Sequence, residues 1–230
     1  MKTIGLIGGM SWESSDLYYQ VINRKVQQIL DGIHSCQCLM FSVDFAEIAS
    51  LQHMGEWDLL AKKMISAAQR LERGGADFML LCTNTMHKVA GEIQQNVNIP
   101  LLHIVDATAN AIQNKKLKKL GLLATRFSME DDFLKGRFQS KYGIETIVPE
   151  ENERRDVHEI IYSELIRGII SESSKQRYLE IIENLILKGA EGIIAGCTEI
   201  ELVIKPSDLQ VELFETTKIH AEMAVRIALE

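Results

Sequence analysis

Cys197 is the side chain in this sequence best suited to proton-transfer or nucleophilic chemistry. It follows the apolar run 192–196 and precedes Thr198 and Glu199, where a helix is predicted to begin. Unpaired backbone N–H groups at a helix start, together with the positive end of the helix dipole, stabilise an anion. Both effects favour the thiolate, which is the reactive form of cysteine. The position therefore predicts a reactive thiol, against the alternative of a small buried core residue.

An internal repeat identifies Thr83 as a second candidate. Thr83 comes eight residues after Gly75, and Cys197 comes eight residues after Gly189. The two glycines lie 114 positions apart, and each opens a Gly-Ala-acid triplet. Thr83 is thus predicted to hold, in the first half of the chain, the place of Cys197 in the second. Because side chains alternate along a strand, the neighbouring Cys82 is predicted to point away from the site and into the core.

Hydrophobic periodicity divides the chain into alternating strands and helices. Short apolar runs predict strands, and apolar residues three or four apart predict helices. Strands separated by helices indicate a parallel sheet covered on both faces. The predicted strands are 4–7, 38–43, 78–82, 101–105, 120–125, 144–148 and 192–196, and helical periodicity covers about 14–30, 60–71, 133–142 and 181–186.

The repeat also predicts the fold class. The first strand of each half has the same pattern, with Gly121 coming 116 positions after Gly5. We expect an α/β protein with two pseudo-symmetric parallel-sheet domains and the active site in the cleft between them. The first domain is predicted to comprise 1–113 with 211–230, a final strand and helix that cross back, and the second to comprise 114–210. Ligands of open α/β sheets bind beyond the carboxyl ends of the strands, so both motifs are expected to reach one ligand.

Composition limits the classes of function. The chain has 230 residues, of which 46% are hydrophobic, and a core of that size needs no disulfide or metal. The net charge of −7 argues against a nucleic-acid partner, which requires clustered positive charge, and leaves a small-molecule substrate open. No apolar run approaches the roughly 20 residues of a membrane span. The N-terminal apolar run is too short and glycine-rich for a signal peptide, so we expect no membrane partner and a cytoplasmic location.

Several other conspicuous residues are interpreted as structural. Cys36 and Cys38 are one residue apart, which places both thiols on one face of a strand and favours core packing over a metal site. His87 and His220 are typical of structural histidines on helices rather than catalytic bases. The opening glycines lack the Gly-x-Gly-x-x-Gly spacing of dinucleotide-binding loops, so NAD is not expected.

The paired motifs resemble those of the aspartate/glutamate racemase family. The segments that carry the resemblance are Cys82-Thr83-Asn84-Thr85-Met86-His87, Gly196-Cys197-Thr198-Glu199, the opening Gly5-Leu6-Ile7-Gly8-Gly9-Met10-Ser11-Trp12, and Leu122-Leu123-Ala124-Thr125. They span essentially the whole chain. The resemblance implies cofactor-independent racemisation of an amino acid, with no pyridoxal phosphate and no metal, and it fits a homodimer.

The resemblance also implies a two-base mechanism with one departure from the usual pattern. In the family one cysteine removes the α-proton and a second returns a proton on the opposite face. The usual first motif is Cys-Asn-Thr, so Thr83 stands where a cysteine is normal. A hydroxyl is a far weaker acid than a thiol and a poor partner for reversible proton transfer. Since the second cysteine is the one expected to deprotonate the L-isomer, retention of Cys197 implies an L-preferring enzyme, with L-aspartate or L-glutamate as substrate and reprotonation by Thr83 or a water that it holds.

Substrate contacts are expected around both motifs. Backbone N–H groups at strand-to-helix junctions bind anions, which suits a substrate α-carboxylate. N-capping is the alternative role for Thr85 and Thr198. Arg167 is the candidate partner of an acidic side chain, with stabilisation of a helix C-terminus as the alternative, and the resemblance places Met10 and Gln52 on loops at the rim of the cleft. The expected substrate-binding residues are Met10, Gln52, Asn84, Thr85, Thr125, Arg167 and Thr198.

Two other kinds of function remain open. One is a related carbon-acid enzyme, such as a broader-specificity amino-acid racemase, a hydantoin racemase or a decarboxylase working with one cysteine. The other is an amino-acid-binding protein without catalysis, which the replacement of one base by Thr83 keeps open. A binding protein would tolerate loss of Cys197, whereas the enzyme would not.

Overall fold

The chain forms two compact units. The computed structural model describes residues Met1 to Glu230. The first unit contains Met1–Ile104 and His220–Glu230, and the second contains Val105–Ile219. Each unit has its own parallel sheet, which confirms the predicted α/β class with two parallel-sheet domains. The division falls nine residues from each predicted domain boundary, at 104 rather than 113 and at 219 rather than 210.

The first unit is built on a three-stranded sheet. The strands run parallel in the order β2-β1-β3, so that Ile4 of β1 pairs with Cys38 on one side and Phe78 on the other. The strands are β1 (Ile4–Gly8), β2 (Cys38–Ser42) and β3 (Phe78–Leu81), and the helices that begin in this unit are α1 (Trp12–Leu30), α2 (Phe45–Met54), α3 (Trp57–Arg73), a 3-10 helix (Thr85–Val89), α4 (Ala90–Gln95) and α5 (Ile104–Asn114).

This sheet is buried on both faces. Leu6 packs with residues of α1 and of the last helix of the chain, whereas its neighbour Ile7 packs with residues of α2 and α3. Leu80 and Leu81 of β3 alternate in the same way. Burial of alternate side chains in two separate layers is the arrangement expected for parallel strands with helices on both sides.

The loop between β1 and α1 depends on Gly9. Its φ is +89°, in the left-handed region, and a Cβ atom there would lie 2.2 Å from the carbonyl oxygen of Val43. The Gly9 N–H donates to Ser15 Oγ at 2.7 Å, and Ser11 is the N-cap of α1. The short segment that carries Met10 is therefore fixed at both ends.

The predicted strand at 101–105 is wrong. Only Leu101 pairs with the sheet, through an isolated bridge to Met79, and α5 begins at Ile104. A short buried apolar run fits a strand or the first turn of a buried helix equally well, so periodicity does not separate the two. Pro100 contributes its carbonyl to Met79 N–H at 2.9 Å but has no N–H of its own to continue a ladder.

The second unit repeats the first sheet and adds one strand. Its strands run parallel in the order β5-β4-β6-β7. They are β4 (Lys119–Ala124), β5 (Glu145–Ile147), β6 (Gly192–Gly196) and β7 (Glu212–Glu215), with α6 (Arg126–Glu130), α7 (Lys135–Tyr142), α8 (Glu151–Ser163), a 3-10 helix (Leu165–Arg167), α9 (Glu172–Leu187), α10 (Ile200–Val203), a 3-10 helix (Pro206–Asp208) and the start of α11 (Thr216–Leu229).

The internal repeat is present in the topology. β1 and β4 are central, β2 and β5 lie on one side, and β3 and β6 lie on the other. The strands that precede Thr83 and Cys197 are therefore equivalent. The final strand differs from expectation, because β7 pairs with β6 in the second sheet and does not join the first half; its Phe214 is buried there opposite Ile194.

No helix of the structure combines the length and the apolar composition that a membrane-spanning helix requires.

Candidate active site

Thr83 and Cys82 stand in opposite environments at the end of β3. Cys82 is fully buried in the core layer shared with Leu80, and its N–H donates to the carbonyl of Ile7 at 2.9 Å. Burial raises the pKa of its thiol, so the sulfur stays protonated. Thr83 is partly exposed. The prediction that Cys82 is the core residue of the pair is confirmed.

Replacement of Cys82 tests this division of roles. Cys82→Ala is expected to retain most activity and to lower the free energy of unfolding by about 1 kcal/mol, as small core truncations do. Urea unfolding followed by circular dichroism measures the second effect. If the folded variant were inactive instead, Cys82 would have to be the second base, and the assignment of Thr83 would be wrong.

The residues after Thr83 are buried and enter a 3-10 helix. Asn84 occupies the N-cap position of that helix and makes no side-chain capping bond, while Thr85 is its first residue. N-capping, the alternative role for Thr85, is therefore wrong. Both side chains are buried at the carboxyl end of β3, the end at which ligands bind in parallel sheets.

Met10 and Gln52 do not form an exposed rim. Met10 does lie on the loop between β1 and α1, but its side chain is buried in the core layer that also holds Met86. Gln52 lies in the last turn of α2 rather than on a loop, and its Nε2 donates to Met86 Sδ at 3.3 Å. The expected loop position of Gln52 is therefore wrong, because the helix extends to Met54.

Cys197 directly follows β6, and its thiol donates to a carboxylate. The residue is partly exposed, and Sγ–H donates to Oε2 of Glu199 at 2.9 Å. Burial of the sulfur, followed by the negative charge and hydrogen bond of Glu199, raises the pKa of the thiol well above its usual value. The thiol therefore holds its proton at neutral pH.

The expectation that the helix start would favour the thiolate is therefore wrong. The helix after Cys197 is α10, which has only four residues and begins at Ile200. So short a helix sums few peptide dipoles, and that small stabilisation is outweighed by desolvation and by the facing carboxylate. A base is needed to create the thiolate, and Glu199 is already hydrogen-bonded to the proton in question.

Glu199 is a candidate functional residue that the site prediction omitted. It is buried, although most carboxylates lie at the surface, and it follows Cys197 by two residues. The sequence did contain one signal, which is a carboxylate inside the second motif. Two tyrosines, Tyr162 and Tyr178, also lie close to this pair. Burial raises the pKa values of both phenols, and the negative charges of Glu199 and of an ionised Cys197 add to the effect.

Thr198 and Thr125 lie beside Cys197. Thr217 Oγ1 donates to Thr198 Oγ1 at 3.3 Å, and the N-cap of α10 is Glu199, so the alternative of N-capping by Thr198 is wrong. Thr125 follows β4 directly, as Cys197 follows β6, and the last residues of these two strands pair with each other. Thr125 and Cys197 therefore start from neighbouring positions at the carboxyl edge of the second sheet.

Arg167 is exposed at the end of a 3-10 helix. The helix ends at Gly168, which adopts the left-handed conformation with a φ of +71°. Arg167 makes no hydrogen bond or ion pair with the motif residues of the second unit. Its position at a helix C-terminus fits the alternative role of charge stabilisation, and a role in substrate binding stays a prediction.

The structure contains no group of three or more histidine, cysteine or carboxylate side chains placed to hold a metal ion. His87 in the first motif and His220 on α11 are each hydrogen-bonded to protein groups through both ring nitrogens. These contacts fit their interpretation as structural residues rather than catalytic bases, which stays a prediction.

Each of the two parallel sheets is followed by one motif, around Thr83 or Cys197, at the end of the strand next to its central strand. The family profile of Asp/Glu/hydantoin racemases matches residues 7–224. The chain belongs to this family, and the expected isomerase class is confirmed.

Individual relatives agree with this assignment. The chain is similar to the broad specificity amino-acid racemase RacX of Bacillus subtilis (strain 168), with 27% identity over 171 residues that cover 73% of this chain and 72% of RacX. A candidate Asp/Glu racemase from Yersinia pestis has a crystal structure that is 48% identical, with a TM-score of 0.94 and full coverage of both chains. An aspartate racemase homologue from Pyrococcus horikoshii OT3 is 33% identical, with a TM-score of 0.85 and full coverage of both chains.

Proposed function

We propose that the protein racemises a free acidic amino acid, starting most effectively from L-aspartate or L-glutamate, without a cofactor. The observation that carries this proposal is the 2.9 Å hydrogen bond from the Cys197 thiol to the buried Glu199 carboxylate. A thiol that can give its proton to an adjacent carboxylate becomes a base strong enough to accept another proton from carbon.

The first step is removal of the α-proton. Glu199 accepts the Cys197 proton, and the resulting thiolate takes the α-proton of the L-isomer, so that the electron pair of the C–H bond passes to the α-carbon. Burial of the sulfur makes the thiolate costly and therefore strongly basic, which favours transfer from a weak carbon acid. Glu199 and Cys197 each carry one proton after this step.

The second step returns a proton to the opposite face. Two-base chemistry requires Thr83 to act there, either through its own hydroxyl or through a water that it holds. Its partial exposure and its place in the repeat support this role. A hydroxyl can donate its proton to a carbanion, and the alkoxide or hydroxide left behind then regains a proton from solvent while Glu199 releases the one that it holds. A hydroxyl is seldom ionised near neutral pH, so it is a poor base for the reverse direction.

The α-carboxylate of the substrate needs hydrogen-bond donors near both motifs. The buried residues Asn84, Thr85, Thr125 and Thr198 are proposed for this role because all four follow strand ends, where anions bind in parallel sheets. Met10 and Gln52 are proposed to support the first motif from inside the protein, where both lie against the buried Met86 of that motif.

Arg167 is proposed to bind the side-chain carboxylate of the substrate. Arg167→Leu is expected to reduce kcat/KM for aspartate or glutamate by about 10-fold to 100-fold, since a charge-assisted hydrogen bond contributes roughly 1.5–3 kcal/mol. Neutral amino acids should be affected by no more than about twofold. Arg155→Leu, which removes another exposed arginine of the second unit from α8, is the matched control. Equal losses for acidic and neutral substrates would remove Arg167 from the binding site.

A chiral assay tests the function. Each pure L- and D-amino acid of a panel is incubated with enzyme in D2O, and enantiomer ratio and α-deuterium are measured together. The proposal requires inversion of an acidic amino acid with deuterium incorporation. Inversion of many neutral amino acids would indicate broad specificity, carbon dioxide release would indicate a decarboxylase, and binding without exchange would indicate a non-catalytic protein.

A further inference from the structure

His87 joins the Thr83 loop to the start of α5. Its Nδ1 lies 2.8 Å from the carbonyl oxygen of Thr83, and its Nε2 lies 3.1 Å from the backbone nitrogen of Ile104. A carbonyl oxygen only accepts and a backbone N–H only donates, so Nδ1 carries the hydrogen and Nε2 is the acceptor. The ring must therefore be neutral, and burial lowers its pKa well below the usual value, in agreement with this assignment.

Glu201 makes an equivalent connection in the second unit. Its Oε1 accepts a hydrogen bond from the backbone N–H of Thr217, the second residue of α11, at 3.1 Å. The hydroxyl of Thr217 donates to Thr198, which is the residue after Cys197. Glu201 is only 5% exposed, so its carboxyl group lies inside the protein and is directed at a helix start.

The two connections occupy matching positions of the internal repeat. His87 comes four residues after Thr83, and Glu201 comes four residues after Cys197. Each side chain accepts a hydrogen bond from one of the first two backbone N–H groups of the next long helix, groups that have no partner within the helix. An imidazole and a carboxyl group differ in chemistry, yet both supply the required acceptor.

We propose that His87 and Glu201 are paired positioning residues, each of which fixes the loop carrying one of the two reacting side chains by anchoring it to a helix N-terminus. This role presupposes the proposed function, since it requires Thr83 and Cys197 to react. His87 acts directly on the Thr83 carbonyl, whereas Glu201 acts through Thr217 and Thr198.

Positioning matters because proton transfer is sensitive to distance. A displacement of about 1 Å at the reacting atoms can reduce turnover by about 100-fold even when the substrate still binds. A residue with a merely structural role would instead lower stability and leave kcat of the folded protein unchanged.

Conservative variants separate the hydrogen bonds. Glu201→Gln keeps an acceptor for Thr217, and Glu201→Leu removes it with little change in volume. His87→Gln can keep the acceptor near the Nε2 position, whereas His87→Leu loses both bonds. Controls of the same type are Glu222→Gln on α11 and His34→Gln, an exposed histidine before β2, since no hydrogen bond or ion pair joins either residue to a motif.

The expected result is a split between kcat and KM. Glu201→Leu and His87→Leu should lower kcat for aspartate by about 100-fold with KM changed less than about threefold, and the glutamine variants should recover most of the loss. Amide hydrogen exchange provides a readout independent of activity. The Thr217 amide should exchange faster in Glu201→Leu, and the Ile104 amide should exchange faster in His87→Leu.

A pH profile adds a test specific to Glu201. Burial raises the pKa of Glu201 to about 8, with the facing carboxylates of Glu215 and Glu199 adding to the effect and the bonds from Thr217 opposing it. Above this pH the new negative charge further disfavours the Cys197 thiolate. The kcat profile of the wild type should therefore contain an inflection near pH 8 that is absent in Glu201→Gln.

Each result has a defined meaning. Folded leucine variants with unchanged kcat would overturn the positioning role, and so would unchanged exchange at Ile104 and Thr217. If the leucine variants do not fold, the glutamine variants provide the test. Fast exchange of the Thr217 amide in Glu201→Gln and of the Ile104 amide in His87→Gln would show that the hydrogen bonds are lost, and an unaltered kcat in both variants would then overturn the positioning role. Accelerated exchange in a protein whose wild type inverts no amino acid would support the bonds and refute the proposed function instead.

Discussion

Cys197→Ala is expected to abolish both racemisation and α-deuterium exchange, with losses of at least about 1,000-fold, while the protein stays folded. Without the sulfur, Glu199 has no group to activate, and no other base in the second motif can reach the α-proton by the proposed route. Because Cys197 is partly exposed, the free energy of unfolding should change by no more than about 1 kcal/mol. Initial rates from L-aspartate and thermal unfolding measure the two effects.

Cys197→Ser separates chemistry from structure at the same position. The serine hydroxyl can still donate to Glu199, so the local hydrogen bond is retained, but an alkoxide is far harder to form than a thiolate. We expect this variant to be as inactive as Cys197→Ala. Cys38→Ala, which removes a partly buried thiol from the other unit, serves as the control and should retain full activity. Near-normal turnover in Cys197→Ala would exclude the thiol as the base.

Thr83→Cys is expected to raise the saturating rate from the D-isomer by at least about tenfold, and to raise the rate from the L-isomer much less. In the wild type the D-isomer must be deprotonated from the Thr83 side, where the hydroxyl is a weak base. A thiol at this position can act as acid or base in turn. The equilibrium constant between enantiomers is one, so kcat/KM must be equal for both, and the asymmetry can appear only in kcat and KM separately.

Full rate curves from each pure enantiomer are therefore required. The wild type should have a higher kcat and a higher KM from the L-isomer, and Thr83→Cys should bring the two kcat values together. Thr83→Ser keeps a hydroxyl and should preserve the asymmetry of the wild type. Equal saturating rates from both enantiomers in the wild type, unchanged in Thr83→Cys, would show that the lack of a second thiol does not limit the rate from the D-isomer.

The repeat made the location of both motifs predictable. Equal spacing from Gly75 and Gly189 aligned Thr83 with Cys197, and the equivalent strand orders of the two sheets explain why the alignment works. The burial of Cys82 followed from strand alternation alone. These features depend on local periodicity and spacing, which the sequence records directly.

Features that depend on distant parts of the chain were less accessible. The sheet joined by β7 is decided by its pairing with β6, which no pattern within residues 212–215 specifies. The protonation state of Cys197 depends on how much protein surrounds the sulfur and on the direction of the Glu199 side chain, and neither can be obtained from a motif. For that reason, the rule that a helix start lowers the pKa of a cysteine predicted the wrong direction of the pKa shift for Cys197.

The bridge at Leu101 closes the β3 edge of the first sheet to strand addition. Beyond β3, the carbonyl of Pro100 accepts a hydrogen bond from Met79 N–H, and Leu102 N–H donates to the carbonyl of Met79. The N–H of Leu101 faces away from β3 and donates to Gln94 Oε1 at 2.7 Å. An incoming chain would need that donor to extend the ladder, and exposed sheet edges are the usual starting points of aggregation. A single side chain of α4 thus protects this edge from association with another chain.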